Sequence, residues 1–352
     1  MKRRFQTYYD IAAHCFDAII DVRSPAEFAE DHVPGAINLP VLDNAERARV
    51  GTIYKQDSPF RARKIGAALV FRNAALHIEN RLAGHDGGWR PLVYCWRGGQ
   101  RSGAFTWMLR EIGWRAEVIE GGYKTYRRLV SQRLYEGRLA HRFVQIGGHT
   151  GTAKTALLPR LAARGVQVLD LEGLARHRGS LLGGLSVGQP SQKGFESALA
   201  AALARFDPER PVVVEAESSK IGSVNLPPAV WAAMRRAPWL MVEAPIEARA
   251  RYLAHAYEDV LADGVALKDR LAPLRHFRGS AVIEKWSSLI DAGDPVALCH
   301  ALAEDHYDPA YAKSLQAVAP EIAVRFSLSG LGADDLDRAA DDVAAWLQAK
   351  AT

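Results

Sequence analysis

The chain has 352 residues, more than one average domain needs, and two domains are the working expectation. Hydrophobic residues make up 48% and charged residues 24%, which supplies real cores and excludes an intrinsically disordered chain. A net charge of +5 favours a polyanionic partner without requiring one.

From the amino terminus, Met1-Lys2-Arg3-Arg4 is basic, but Asp10, His14 and Asp17 interrupt the following stretch before any signal-like apolar run develops. No run approaches the roughly 20 apolar residues that cross a bilayer, so no membrane partner is expected and the expected setting is the cytoplasm. Cys15, Cys95 and Cys299 include no close pair for a zinc knuckle or a redox motif. Short β-rich runs, Ala18-Ile19-Ile20-Asp21-Val22 and Pro91-Leu92-Val93-Tyr94, each precede a turn and a helical pattern, which predicts an α/β domain over residues 1–125.

The strand ending at Tyr94 delivers Cys95 into Cys95-Trp96-Arg97-Gly98-Gly99-Gln100-Arg101-Ser102, and residues 104–112 then read as a helix. Gly98 and Gly99 let the backbone curl so that successive N–H groups point inward, while Arg97, Arg101 and the helix amino terminus add positive potential. These features favour the thiolate of Cys95, its nucleophilic form, with Ser102 closing the cradle. Cys15 and Cys299 read as structural.

Residues 126–142 are strongly basic, with Arg127 and Arg128 at their start, and predict a connector helix that either tracks an RNA backbone or simply carries a solvated face. A second α/β unit is expected over 143–352. Phe143-Val144-Gln145-Ile146 leads into Gly148-His149-Thr150-Gly151-Thr152-Ala153-Lys154-Thr155 and then a helix from about Thr155 to Arg164, the setting a phosphate-binding loop requires. N–H groups of Gly148, Thr150, Gly151 and Thr152 would hold phosphates, Lys154 would neutralise them, and the Thr155 hydroxyl would reach a magnesium ion. Ala153 stands where the pattern has its second glycine, and the loop is feasible there with a right-handed residue.

Further buried parallel strands are expected at 166–170 and 211–215. The latter ends in Glu215-Ala216-Glu217, and Glu215 or Glu217 is a candidate for a magnesium contact or a general base; salt bridging and capping are the bland alternatives. His177-Arg178-Gly179-Ser180 and Gln189-Pro190-Ser191-Gln192-Lys193 read as a lid, an RNA-contact loop or a surface connection, with His177, Arg178, Gln189 and Lys193 as the candidate RNA contacts. From about Pro245 the pattern is mainly helical, and His306-Tyr307-Asp308-Pro309 reads as a helix-terminating turn that locks the carboxy-terminal helices, with a catalytic histidine site as the alternative.

Asp21-Val22-Arg23-Ser24-Pro25-Ala26-Glu27-Phe28, His32-Val33-Pro34-Gly35-Ala36-Ile37-Asn38-Leu39-Pro40 and Glu120-Gly121-Gly122-Tyr123 resemble the signature stretches of the rhodanese superfamily. Asp21 and Arg23 suit a structural ion pair. The loop places five residues between Cys95 and Arg101, the spacing of cysteine phosphatases, where sulfurtransferase loops are one residue shorter; a wider anion pocket follows. With both modules in view, the chain resembles the bacterial tRNA 2-selenouridine synthases. Tyr94 to Gly99, Gly51-Thr52-Ile53-Tyr54-Lys55-Gln56, His177 to Ser180, Gln189 to Lys193, Glu217-Ser218 and His306 to Tyr311 carry that resemblance.

The resemblance implies a rhodanese-like α/β domain joined to a P-loop NTPase-like parallel-sheet domain with a mainly helical carboxy-terminal part. It also implies an activity: the sulfur of wobble 2-thiouridine in tRNA is geranylated from geranyl diphosphate, and the S-geranyl group is then displaced by selenium from selenophosphate. No tightly bound cofactor is expected, and magnesium at Thr155 is a candidate only. Two other readings stay open: a sulfurtransferase or cysteine phosphatase with a regulatory nucleotide-binding domain, and a non-catalytic RNA-binding module switched by its P-loop.

Overall fold

Runs of β-branched and aliphatic residues buried on both faces become parallel strands in a computed structural model that describes residues 1–180, 182–185 and 187–351. The chain divides into two compact units, Met1–Gly137 with Pro190–Arg205, and Arg138–Gln189 with Phe206–Thr352.

In the first unit, β1 (Lys2–Arg3), β2 (Ala18–Asp21), β3 (Ile37–Asn38), β4 (Pro91–Tyr94) and β5 (Glu117–Ile119) form a parallel sheet in the order β1-β5-β4-β2-β3. Ile20 and Val93 of its central strands are fully buried, and Leu39, Phe105 and Leu109 close over them. Two helices, Asn44–Gln56 and Pro59–His77, follow β3; Asp43 and Ser58 cap them by accepting from the N–H groups of Glu46 and Arg61. The cysteine loop leaves the carboxyl end of β4 and runs into the helix Gln100–Ile112, which starts four residues earlier than the sequence pattern suggests.

The basic connector expected over 126–142 is a different object in the structure. A helix spans Gly122–Tyr135 and buries Tyr126, Leu129, Val130 and Leu134 within the first unit. Tyr126, Leu129, Val130 and Tyr123 recur at helical spacing, so the apolar stripe, rather than the arginines, determines where this helix lies. A second helix, Gln192–Ala204, also belongs to this unit and buries Phe195, Leu199, Ala200 and Leu203.

In the second unit, β6 (Phe143–Gly147), β7 (Gln167–Leu169), β8 (Val212–Glu215), a small antiparallel pair β9 (Lys220–Ile221) and β10 (Val224–Asn225), β11 (Trp239–Glu243) and β12 (Ile322–Ser327) appear in chain order. The five long strands are parallel in the order β12-β11-β6-β8-β7, so β6 lies between β8 and β11. Such a sheet binds ligands beyond the carboxyl ends of its strands. Gln145 is the one polar residue buried in β6, and its amide donates to the Met234 carbonyl at 2.8 Å. The helix Lys154–Ala163 contributes Leu157, Leu158 and Leu161 to a core completed by Ala340 and Val343 of the terminal helix Ala333–Ala351. The short helices between residues 258 and 302 gather around the fully buried Trp286, whose indole N–H donates to Asp305. Among the described residues no helix is long and apolar enough to cross a membrane.

Candidate functional site

The cysteine loop is held by the turn that follows β5. The N–H of Tyr123 donates to the Cys95 carbonyl at 2.8 Å, and that of Lys124 to the Trp96 carbonyl at 3.1 Å. Gly98 and Gly122 both have positive φ, and a Cβ on Gly122 would stand 2.2 Å from the Cys95 carbonyl oxygen. Only glycine lets the two backbones meet at this distance.

Cys95 is buried, and the Ser102 hydroxyl donates to its sulfur at 3.2 Å. Burial alone pushes the thiol up. The Ser102 hydroxyl, backbone N–H donation and the Arg101 charge outweigh burial and bring it below its ordinary value. Arg101 acts here as a nearby charge and not as a free anion clamp, because its guanidinium donates to Glu27 at 2.9 and 3.5 Å. Arg97 is exposed. Trp96 rests against Tyr123 with ring centroids 5.2 Å apart and walls the loop. Asp21 and Arg23 form a fully buried ion pair at 2.7 Å, and Arg23 also donates to the Asp31 carbonyl, the structural role their spacing suggests.

The phosphate loop begins at the carboxyl end of β6. Ala153 adopts φ 58°, ψ 29°, so the residue in the glycine position is left-handed, not right-handed as expected. An L-residue there costs about 1–2 kcal/mol, and its methyl is buried, which holds the loop in the glycine-type geometry. The helix Lys154–Ala163 starts at a cavity of about 560 Å³ that Gly151, Lys154 and Thr155 line, and the first turn of a helix is where N–H groups lack intrahelical partners. Gly148 donates its N–H to the Tyr311 hydroxyl at 2.9 Å. Thr152 is buried and its hydroxyl donates to the His149 carbonyl, a loop-internal bond. Thr150 contributes its carbonyl to Arg249 and also lines the cavity.

Lys154 folds back and donates to the carbonyls of Gly148 and His149 at 2.8 and 3.2 Å. Burial lowers its pKa, opposed by the charges of Glu217, Glu172 and Glu215. Three carboxylates therefore face one ammonium. Burial and mutual repulsion raise Glu215 well above the usual carboxylate range and push Glu217 up to about 7. Glu172 accepts from the Thr155 hydroxyl at 2.8 Å.

Glu172 is a site residue the sequence reading missed. Arg249 is another: its guanidinium donates to Asp308 at 2.8 and 2.7 Å and to Thr150, so it ties two distant elements to the loop. His149 Nδ1 lies 3.0 Å from the same carboxylate, and these two partners hold Asp308 well below the usual carboxylate range despite its partial burial. The stretch His306 to Pro309, expected to be a helix-terminating turn, instead leads with Tyr311 along the wall of the phosphate loop. Its residues run without a break from a single π-helical turn, Ala303–Tyr307, into the helix Asp308–Val318.

The candidate RNA contacts separate. Arg127 turns inward and pairs with the buried Glu196, and Gln189 braces the carbonyls of Ala175 and Ile221; both serve the fold, which corrects their expected role. Lys193 pairs with Glu30 at 2.6 Å, and Arg128 is exposed. Arg178 lines the cavity, where it pairs with Asp259 and lies over the Tyr257 ring at 4.9 Å. The Gly179 N–H donates to His177 Nδ1 at 3.2 Å.

Two family models match the chain: a rhodanese-like domain over residues 6–129 and a tRNA 2-selenouridine synthase AAA domain over residues 141–282. The tRNA 2-selenouridine synthase of Hahella chejuensis is 35% identical over 343 residues, covering 87% of this chain and 88% of its own length. That of Cronobacter sakazakii is 37% identical over 348 residues, covering 87% and 89%. That of Nitrosomonas europaea is 39% identical over 241 residues, covering 66% and 61%. With likeness running across both units at this level of identity, the chain belongs to the tRNA 2-selenouridine synthase family.

Proposed function

We propose that this chain is a tRNA-modifying transferase that converts wobble 2-thiouridine to 2-selenouridine, using geranyl diphosphate and then selenophosphate as co-substrates. The observation that supports the reading is that one family member carries two loops of different chemistry: one holds the acidified Cys95 thiol, and the other places Lys154 on a cavity whose described lining residues include no nucleophile of that kind.

In the first reaction the thiouridine sulfur attacks the first carbon of geranyl diphosphate, the carbon–oxygen bond breaks, and diphosphate leaves. Leaving-group charge is what a helix amino terminus and a lysine stabilise, and Lys154 is placed to exchange its two loop carbonyls for phosphate oxygens. Thr155 and Glu172 offer hard oxygen donors of the kind magnesium takes when phosphates complete its shell, and a bound ion would neutralise developing charge on the diphosphate. Glu217, with its raised pKa, can take up a proton within this cavity.

In the second reaction selenium attacks carbon 2 of the pyrimidine, the carbon–sulfur bond breaks, geranylthiol departs, and water cleaves the selenium–phosphorus bond to release phosphate. The alkylated sulfur is the better leaving group, which gives the order of the two steps its logic. Cys95, with Ser102 and backbone N–H donors at its sulfur, suits the selenium donor. Arg97 stands exposed at the mouth of that loop, and Arg128 and Arg178 are the basic residues assigned to the tRNA backbone. A phosphatase fits less well, because the arginine that would clamp a phosphate is committed to Glu27.

The test is mass spectrometry of tRNA nucleosides after incubation with geranyl diphosphate and then selenophosphate. Lys154→Ala should stop geranylation yet leave selenation of pre-geranylated tRNA intact, and Cys95→Ala should do the reverse. An unchanged nucleoside profile with the native enzyme would refute the reading.

A further inference from the structure

The first unit contains a second cavity, of about 550 Å³, that the proposed chemistry has not used. The helices Asn44–Gln56 and Pro59–His77 form its sides, and they approach closely because Gly66 faces Val50; a Cβ on Gly66 would stand 3.3 Å from the valine methyl. Leu42, Val50 and Val70 make its inner lining apolar. Tyr54 and Phe71 are 56% and 42% exposed along it, unusual for large aromatic side chains that serve only a core.

Two further features give the groove a direction. One is charge: Lys55 and Arg63 stand on the rim, and among the described residues neither takes part in a salt bridge. The other is continuity with the cysteine loop. Gln100, Arg101 and Ala104, from the start of the helix that begins at the loop, form the near wall, and Ser102, which follows Arg101, donates to the Cys95 sulfur. An apolar slot with a cationic rim that opens beside a nucleophile suits a hydrophobic chain joined to a phosphodiester backbone.

We propose that this groove holds the prenyl chain of S-geranylated tRNA while its base is presented to the Cys95 loop. The inference rests on the two-step reading above. The apolar lining takes the branched ten-carbon chain, and Lys55 and Arg63 take phosphates of neighbouring nucleotides. This arrangement would select tRNA that has completed the first reaction, because the bare 2-thiouridine has nothing to fill the slot.

Ala67 lines the groove from an exposed helical position, so Ala67→Trp should fill it without disturbing the core. Two measurements on the full-length chain test the idea. In the first, binding of a labelled anticodon stem-loop is followed by fluorescence anisotropy with S-geranyl or S-methyl 2-thiouridine at the wobble position. The native chain should prefer the S-geranyl form by about tenfold or more, and Ala67→Trp should abolish that preference while keeping S-methyl binding. In the second, selenation of the two stem-loops is compared; the variant should lose at least tenfold in kcat/KM on the S-geranyl substrate and little on the S-methyl one.

Equal binding of both stem-loops by the native chain overturns the groove even if selenation proceeds. Preference without selenation upholds the groove and removes the second reaction from the reading on which it rests. If Ala67→Trp instead slows geranylation from geranyl diphosphate and leaves S-geranyl stem-loop binding unchanged, the occupant is the free diphosphate and the proposal is wrong.

Discussion

The Ser102 hydroxyl donates to the Cys95 sulfur at 3.2 Å, and it does so from inside the protein, where both groups are buried. A hydrogen bond to an anion in such a place is worth about 1.5–3 kcal/mol, or on the order of one to two pH units of thiol acidity. Ser102→Ala should therefore move the Cys95 titration upward by about one unit. The rate of iodoacetamide alkylation against pH reads this directly: slower than native near neutrality, and converging with it in alkali. A superimposable profile would show that the hydroxyl does not stabilise the thiolate.

Gly122 packs against the cysteine loop with no room for a methyl group. Gly122→Ala forces either the left-handed turn or the Cys95 carbonyl to move, and a cost of about 2–4 kcal/mol is expected from overpacking plus a disallowed backbone. A lowered thermal midpoint, accompanied by loss of rapid Cys95 alkylation, is the predicted pair of observations. Gly99→Ala serves as the control, since nothing lies within 4 Å of the Cβ it would add.

The carboxylate cluster beside Lys154 predicts a dependence of stability on pH. Glu217 has an ordinary value of 4.5 and is raised to about 7 in the fold, first by burial and then by the Glu172 charge. Because the folded chain holds this proton more tightly than the unfolded chain, its contribution is full below about 4.5 and is lost as pH rises toward 7. Glu217→Gln should flatten that part of the curve of thermal midpoint against pH. An unaltered slope between these limits would place the proton on another group.

Ala153 makes the opposite prediction from Gly122. It holds φ 58° without the freedom of a glycine, so Ala153→Gly should leave the phosphate loop intact and change stability by no more than about 1 kcal/mol, the relief of strain being set against the entropy of the unfolded glycine. Ala153→Val should destabilise by more, since a β-branched side chain tolerates that conformation least. Calorimetric midpoints of the three proteins give the order.

Both anion loops were legible because each is continuous in sequence: a strand, a glycine-bearing turn and a helix start occupy about twelve residues, and local spacing states the geometry. The parallel sheets were legible for the same reason, as apolar runs buried on both faces. Arg249 and Asp308 could not be found this way, since they reach the phosphate loop from elements some hundred and more residues away and carry no shared spacing. Pro309 misled for a physical reason. A proline after a helical stretch reads as a stop, yet here it follows closely on the π-helical turn Ala303–Tyr307, and the wider turn accommodates the N–H it lacks while the helix continues to Val318. Arg127 misled because the partner that turns it inward, Glu196, belongs to a helix that the linear order assigns to the other domain.

That helix, Gln192–Ala204, gives the molecule an order of assembly. The first unit includes residues 190–205 and buries Phe195, Leu199 and Leu203, so its apolar surface is incomplete until the ribosome has released more than two hundred residues. By then β6, the phosphate loop and β7 have already emerged. Synthesis of the two units is interleaved in time, and the cysteine domain waits for its last helix with the first two strands and the phosphate loop of the second unit already outside the tunnel.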